Sequence, residues 1–361
     1  MTSRRREVLL GASAIAATAS LPAPAIAEGI KELKLVTSWP KGFAGLDASA
    51  QRLAQSITTI SAGRLKVTVY PAESLVHALE VFDAVGAGVA DMYHSFDPYF
   101  EKKSPAFYFF CAVPFGMTAD ELAAWIYFGG GQALYDEVDA PFNIKPLMVT
   151  QTGTQMAGWF NKEINGPEAY KGLRFRMPGL GAEILRRMGA TVVTLAGGDI
   201  VEAFKSDAID GGEWIGPWPD VEMGLDKVAE YYYYPGWHEP NSIETLGINK
   251  TLWDGLTASE RALIEAAAAA EYTRSLAEFN ALNVKWLKLL RADKRIKIRK
   301  FSDDTLKVFG KLSKDVLAET GAKDPLTRKI YDSYTAFLAG IMDWGELSET
   351  GYRDTRRLAL G

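Results

Sequence analysis

The sequence predicts an α/β protein of two like-built lobes, and three observations carry that prediction. The order strand, helix, strand, helix, strand is written twice, once on each side of a break near Gly153. Within each series, short alternating strands stop at Pro or Gly and give way to helical spacing, the pattern of parallel strands joined by crossovers. From Thr257 to about Arg291 the chain then stays helical with no Pro or Gly. At 1.5 Å per residue that is a rod of about 50 Å, longer than one small domain, so it should run along both lobes.

In chain order, Lys31 to Thr37 alternates and stops at Ser38-Trp39-Pro40. Asp47 to Ala62 has helical spacing (Leu53, Ile57, Ile60), Leu65 to Tyr70 is a second strand ended by Pro71, and His77 to Ala87 a second helix. Ala90 to His94 makes the third strand, and the loop Ser95 to Tyr99 lies at its carboxyl end, where ligands collect in such sheets. A helix from Ala119 to Phe128 and a strand from Pro146 to Gln151 complete this unit, and an extended run, Met156 to Phe160, follows. The second series comprises the strand Leu173 to Met177, the helix Ala182 to Met188, the strand Thr191 to Leu195, the helix Ile200 to Lys205 and the short Ile209 to Trp214. Tyr231 to Tyr234 reads as an aromatic strand that carries the chain back. Thr257-Ala258-Ser259-Glu260 is a capping box that opens the long helix. A strand around Ile296 and Ile298, a helix from Asp304 to Glu319 and a last helix from Pro325 to about Met342 finish the chain.

Composition narrows the function. Ser3-Arg4-Arg5-Arg6, an apolar run from Leu9 to Leu21 and the small residues of Ala25-Ile26-Ala27 read as an export signal over residues 1–27, of twin-arginine type with a plain secretory signal as the alternative, and in either case as a periplasmic address. Without those residues 37 basic and 44 acidic side chains remain, a net charge of −7 with no basic stripe, so nucleic acid is not an expected partner. No later stretch has the length and apolarity of a membrane span. Cys111 is the only cysteine and reads as a small buried hydrophobe.

Enzyme signatures are thin. No G-x-S-x-G, H-E-x-x-H, P-loop or C-x-x-C is present, and His77, His94 and His238 are scattered, each expected to be satisfied or exposed. Gly179-Leu180-Gly181 between a strand and a helix is half a dinucleotide fingerprint, with Ile184 where the third glycine belongs. It supports one alternative, a periplasmic cofactor-dependent oxidoreductase.

Binding has better material. In Leu173 to Met177, Leu173, Phe175 and Met177 face one way and Arg174 and Arg176 the other, with Arg176 at the strand tip just before Pro178-Gly179. A guanidinium there is placed to grip a carboxylate with two parallel hydrogen bonds, while Arg174, earlier in the strand, belongs to the rim. Glu213 follows Gly211 and Gly212, which would let the backbone approach a ligand closely, and precedes Trp214. An acid beside a bound carboxylate repels it unless a cation lies between, and Gln155 and Glu239 offer further oxygens to a hard cation. Trp214, Trp218 and Trp237, with Tyr99 and Phe96, would furnish apolar walls.

At these residues the sequence resembles a solute-binding protein of the tripartite ATP-independent periplasmic (TRAP) transporters. The likeness rests on Trp39-Pro40, Pro71-Ala72-Glu73-Ser74-Leu75, Asp83-Ala84-Val85 with Gly88, Gly172 to Pro178, and Asp210-Gly211-Gly212-Glu213-Trp214. The last turn, with Gln155 and the tail after Asp324, is similar to the branch that binds 2-oxo and 2-hydroxy monocarboxylates together with a cation.

That resemblance implies a receptor, not an enzyme, with a two-lobed periplasmic-binding-protein-like fold that closes over its ligand. It assigns the carboxylate to Arg176, and the cation to Gln155, Glu213, the Trp214 carbonyl and Glu239, sodium being favoured and calcium admitted. Tyr99 would reach across from the first lobe. The expected organisation is residues 28–152 with 242–275 in lobe I, 153–241 with 276–324 in lobe II, and a C-terminal dimerisation helix and tail over 325–361. The expected partners are a small 2-oxo monocarboxylate such as pyruvate, the TRAP membrane permease subunits and a second copy of the chain.

Overall fold

The computed structural model describes residues 29–361, so the export segment read from the sequence lies outside the described residues. Among the described residues, eleven strands follow in chain order: β1 (Lys31–Thr37), β2 (Leu65–Tyr70), β3 (Met92–Ser95), β4 (Ile144–Gln151), β5 (Gly158–Phe160), β6 (Arg174–Arg176), β7 (Thr191–Val193), β8 (Gly211–Gly212), β9 (Tyr231–Tyr234), β10 (Ile243–Asn249) and β11 (Lys297–Lys300). They form two sheets, ordered β2-β1-β3-β10-β4 and β11-β9-β5-β8-β6-β7. In each, the predicted strand-helix series gives parallel neighbours: β1 lies between β2 and β3, and β6 between β7 and β8. Their carboxyl ends face the space between the lobes, because every crossover helix returns the chain to the far edge before the next strand begins.

Two elements depart from the expectation. The aromatic strand β9 does not carry the chain back; it stays in the second sheet, antiparallel to β5 and parallel to β11. The return is made by β10, which inserts antiparallel between β3 and β4 in the first sheet. All seven of its residues are buried, so it has no inside-outside alternation to betray it. Helix boundaries also move, among them those of the second and the last. The second helix begins at Val81 rather than His77, and the last runs Pro325–Gly345 before a π turn at Glu346–Thr350 and a further helix, Gly351–Leu360.

The lobes are joined three times. The segments after β4 and before β10 cross side by side, with the Thr152 amide donating to the Ser242 carbonyl (3.1 Å) and the Gln155 amide to the Glu239 carbonyl (3.2 Å). The third crossing is the long helix, Ala258–Ala292, whose 35 residues span about 52 Å. Its start is the predicted capping box: Thr257 Oγ1 accepts from the Glu260 amide (3.2 Å) and Glu260 Oε2 from the Thr257 amide (2.8 Å). Further along, Glu271 pairs with Arg52 of the first lobe, while Phe279 and Asn283 hold Trp218 of the second. Cys111 is buried and its thiol reaches the Ile243 carbonyl at 2.7 Å. No helix of the described residues is long and apolar enough to cross a membrane.

Candidate functional site

Arg176 is 1% exposed, at the tip of β6 where the alternation put it. Two main-chain oxygens hold its guanidinium: the Leu195 carbonyl accepts from Nε (3.1 Å) and Nη2 (2.9 Å), and the Glu213 carbonyl from Nη1 (2.9 Å). The remaining N–H groups meet side chains, Nη2 donating to the Tyr99 hydroxyl (3.2 Å) and Nη1 to Glu213 Oε1. All five donors are therefore engaged, and the two side-chain contacts are the ones that face the interlobe space. Arg174, by contrast, is at the rim, paired with Asp210 at 2.6 Å.

Around this guanidinium lies a cavity lined by Trp39, Phe96, Tyr99, Ser242 and Glu244 from the first lobe and by Gln155, Glu213, Trp214 and Glu239 from the second. The lobes are closed on it: the rings of Trp39 and Trp214 meet edge to face at 6.2 Å, and Phe43 covers Trp214 at 5.3 Å. The space available to the centre of a water molecule is about 20 Å³, room for about one water. Gln155 and Glu239 reach it because they stand on the two crossing segments, and Glu213 and Trp214 because β8 ends beside β6.

The electrostatics are those of an acid-rich pocket around one cation. Burial, then the negative charge of Glu213, push the Glu239 carboxyl well above the usual carboxylate range despite Arg176. Burial raises the Tyr99 hydroxyl as well, against the pull of Arg176, so it is a neutral group that accepts from the arginine and keeps its own proton to donate.

Several expectations are corrected here. Trp218 and Trp237 are not cavity walls: Trp218 packs on Phe279, and Trp237 stacks on Phe309 at 4.0 Å in the second lobe's core. Trp39 takes their place. Gly211 serves the protein's own packing, since a Cβ there would lie 2.6 Å from the Phe175 ring. Gly181 likewise makes room for Met177 and His238 rather than for a pyrophosphate. His94 is satisfied, between Trp39 Nε1 (2.7 Å) and Thr150 Oγ1 (2.8 Å), and His77 is exposed, but His238 is neither. It is buried with both ring nitrogens unpartnered, and Nε2 lies 3.5 Å from Glu213 Oε2. Sequence reasoning missed His238 and Glu244, and the wholly buried strand that carries the latter shows no alternation to mark it.

A cation fits the side chains present. Gln155 Oε1 is buried without a hydrogen-bond donor, and Glu213, His238 and Glu239 each bring one ligating atom within 4.8 Å of the others. Amide and carboxylate oxygens of this kind are a donor set for a hard cation.

Comparison with known proteins agrees with this architecture. The model of the DctP family, bacterial extracellular solute-binding protein family 7, matches residues 38–324. The chain belongs to that family. As a DctP-family protein it is a substrate-binding receptor of transporters and not an enzyme, which removes the oxidoreductase alternative. It is 35% identical over 359 residues to the monocarboxylate 2-oxoacid-binding periplasmic protein of Nostoc sp. PCC 7120, covering 97% of this chain and 98% of the relative. Among solved structures, a TRAP transporter solute-binding protein of Bordetella bronchiseptica, with calcium and picolinate, aligns with a TM-score of 0.89 at 30% identity over 92% of this chain and 98% of its own. Another, from Pseudoalteromonas atlantica with sodium and pyruvate, aligns with a TM-score of 0.87 at 32% identity over 90% and 99%. The two-lobed fold of the DctP-family chain is thus that of TRAP solute-binding proteins.

Proposed function

We propose that this DctP-family protein is a periplasmic receptor that captures a small 2-oxo acid such as pyruvate through Arg176 and a bound cation, and delivers it to TRAP membrane permease subunits. The observation that carries the reading is the buried guanidinium, anchored by two carbonyls on one side and facing the interlobe cavity with the other.

An entering carboxylate would take the two N–H groups that Tyr99 and the Glu213 carboxylate now occupy, a fork matched to two oxygens. Leu195 and the Glu213 carbonyl would keep the guanidinium in place during the exchange. Released, the Glu213 side chain would join Gln155 Oε1, Glu239 and the Trp214 carbonyl in the set that would hold the cation, sodium or calcium. When bound, such an ion supplies positive charge among the two glutamates and the acid's oxygens. The neutral Tyr99 hydroxyl, freed from Arg176, would donate to the ligand from the first lobe. Contacts from both lobes favour the closed form by differential binding. Picolinate and pyruvate share this chemistry, a carboxylate with a donor atom on the neighbouring carbon.

The C-terminal helices support a homodimer, since Met342, Trp344, Leu347, Tyr352, Leu358 and Leu360 are exposed along them. Light scattering of the full chain against a version ending at Gly345 tests this; a monomeric full chain would rule the dimer out. For the receptor itself, native mass spectrometry of the purified protein followed by calorimetric titration with pyruvate, in sodium, in calcium and after chelation, is the direct test. The expected result is cation-dependent binding of one acid per chain. Absence of binding to any short 2-oxo acid in either cation would refute it.

A further inference from the structure

Glu244 is the one acid of the cavity wall that the receptor reading leaves without a task. It comes from β10 in the first lobe, opposite Arg176, at the point where the register of β10 against β4 shifts between Glu244 and Thr245. The residue is 3% exposed, lines the cavity, and its Oε2 is buried without a hydrogen-bond donor. The groups buried around it, Asp97 and Tyr99 from the turn after β3, Cys111 beneath the strand and Glu239 from the second lobe, carry no positive charge, and Arg176, the cation of the same lining, has all its N–H groups engaged by Leu195, Glu213 and Tyr99. An ionised carboxylate in such surroundings would pay its full desolvation cost, so the group stays protonated. Burial and the charge of Asp97 accordingly push it up to about 8. A protonated carboxyl with no protein partner, facing a ligand cavity, has an O–H to give.

We propose that Glu244 determines specificity in this cavity: as a neutral carboxylic acid it donates a hydrogen bond from the first lobe to the oxygen on carbon 2 of the acid held by Arg176. This rests on the receptor reading above and adds to it the group that distinguishes a 2-oxo or 2-hydroxy acid from an unsubstituted carboxylate. Arg176 recognises the carboxylate that all such acids share, whereas Glu244 recognises the atom that they do not.

The test is calorimetric titration of the wild type, E244Q and E244L with pyruvate and with propionate, in excess calcium chloride, with thermal melts confirming that each variant is folded. Glutamine keeps a donor at the same reach, so E244Q should bind pyruvate within about threefold of the wild type, while E244L should lose about three- to tenfold, the worth of one hydrogen bond. Propionate, lacking the second oxygen, should bind both variants as it binds the wild type. Equal loss of pyruvate and propionate would mark a merely structural role and overturn the proposal, as would E244L binding pyruvate as tightly as the wild type. Tighter binding by both variants would show an ionised, repelling Glu244 and overturn it too. A wild type that binds no 2-oxo acid would bring down the receptor reading and this inference together, whereas the other outcomes touch only Glu244.

Discussion

Arg176 and Glu213 form an ion pair in which each side chain is only 1% exposed, and the same arginine also donates a hydrogen bond to the Glu213 main-chain carbonyl. A ligand that displaces the carboxylate leaves the carbonyl contact intact, so the guanidinium is already oriented when the acid arrives. Exchanging one buried charge partner for another avoids the several kcal/mol that an uncompensated buried arginine would cost. The pair is thus a ground state from which binding is an exchange rather than a creation of contacts.

Replacing Arg176 with lysine keeps the charge and removes the fork. Hydrogen bonds to charged groups are worth about 1.5–3 kcal/mol each, so losing one should weaken pyruvate binding by at least about tenfold. Calorimetry on Arg176→Lys checks this, and wild-type affinity in that variant would refute the role given to the guanidinium.

In Glu213→Gln the amide can still accept from Arg176 but brings no negative charge to a cation. Pyruvate affinity in this variant should respond little to added calcium or to chelation, while the wild type responds strongly. Titrations at several calcium concentrations compare the two slopes; equal slopes would remove Glu213 from the cation set.

Trp39 and Trp214 meet across the cavity, whereas Trp218 and Trp237 lie in cores away from it. Ligand binding should therefore change intrinsic fluorescence mainly through the first two. Stopped-flow or equilibrium titration of Trp214→Phe is expected to lose most of the signal, and Trp237→Phe to keep it.

His94 carries a pH signature. Trp39 Nε1 can only donate, so His94 Nδ1 is the acceptor and Nε2 bears the proton shared with Thr150 Oγ1. Burial pushes this imidazole down to about 3 from 6.5. The unfolded chain therefore takes up a proton that the folded chain refuses between those values, and stability present above pH 6.5 is lost as pH falls toward 3. Per pH unit the loss is at most about 1.4 kcal/mol. Urea unfolding of wild type and His94→Gln at a series of pH values isolates it, because buried acids such as Asp97, raised to about 6, act in the opposite direction in both proteins. Parallel pH profiles for the two would contradict the assignment.

Much of the site was readable because it sits on regular elements. The period-two alternation of Leu173 to Met177 and its Pro-Gly stop were enough to put Arg176 at a strand tip, and the capping box at Thr257 fixed where the long helix begins. What could not be read depends on neighbours distant in sequence. β10 is buried throughout and so shows no alternation, and without it the cavity position of Glu244 has no local sign. His238 lies on a crossing segment whose path is set by the other crossing, not by its own residues. Gly211 misled for a related reason: the sequence shows that something approaches closely there, but not that it is Phe175.

The Leu195 and Glu213 carbonyls that aim Arg176 belong to the main chain. Substituting either residue changes a side chain and leaves the aiming oxygen where it was. Drift in the lining of this pocket can therefore retune which small anion is accepted, chiefly through the opposing wall, while the handle common to all of them is insulated from side-chain changes at the two residues that aim it.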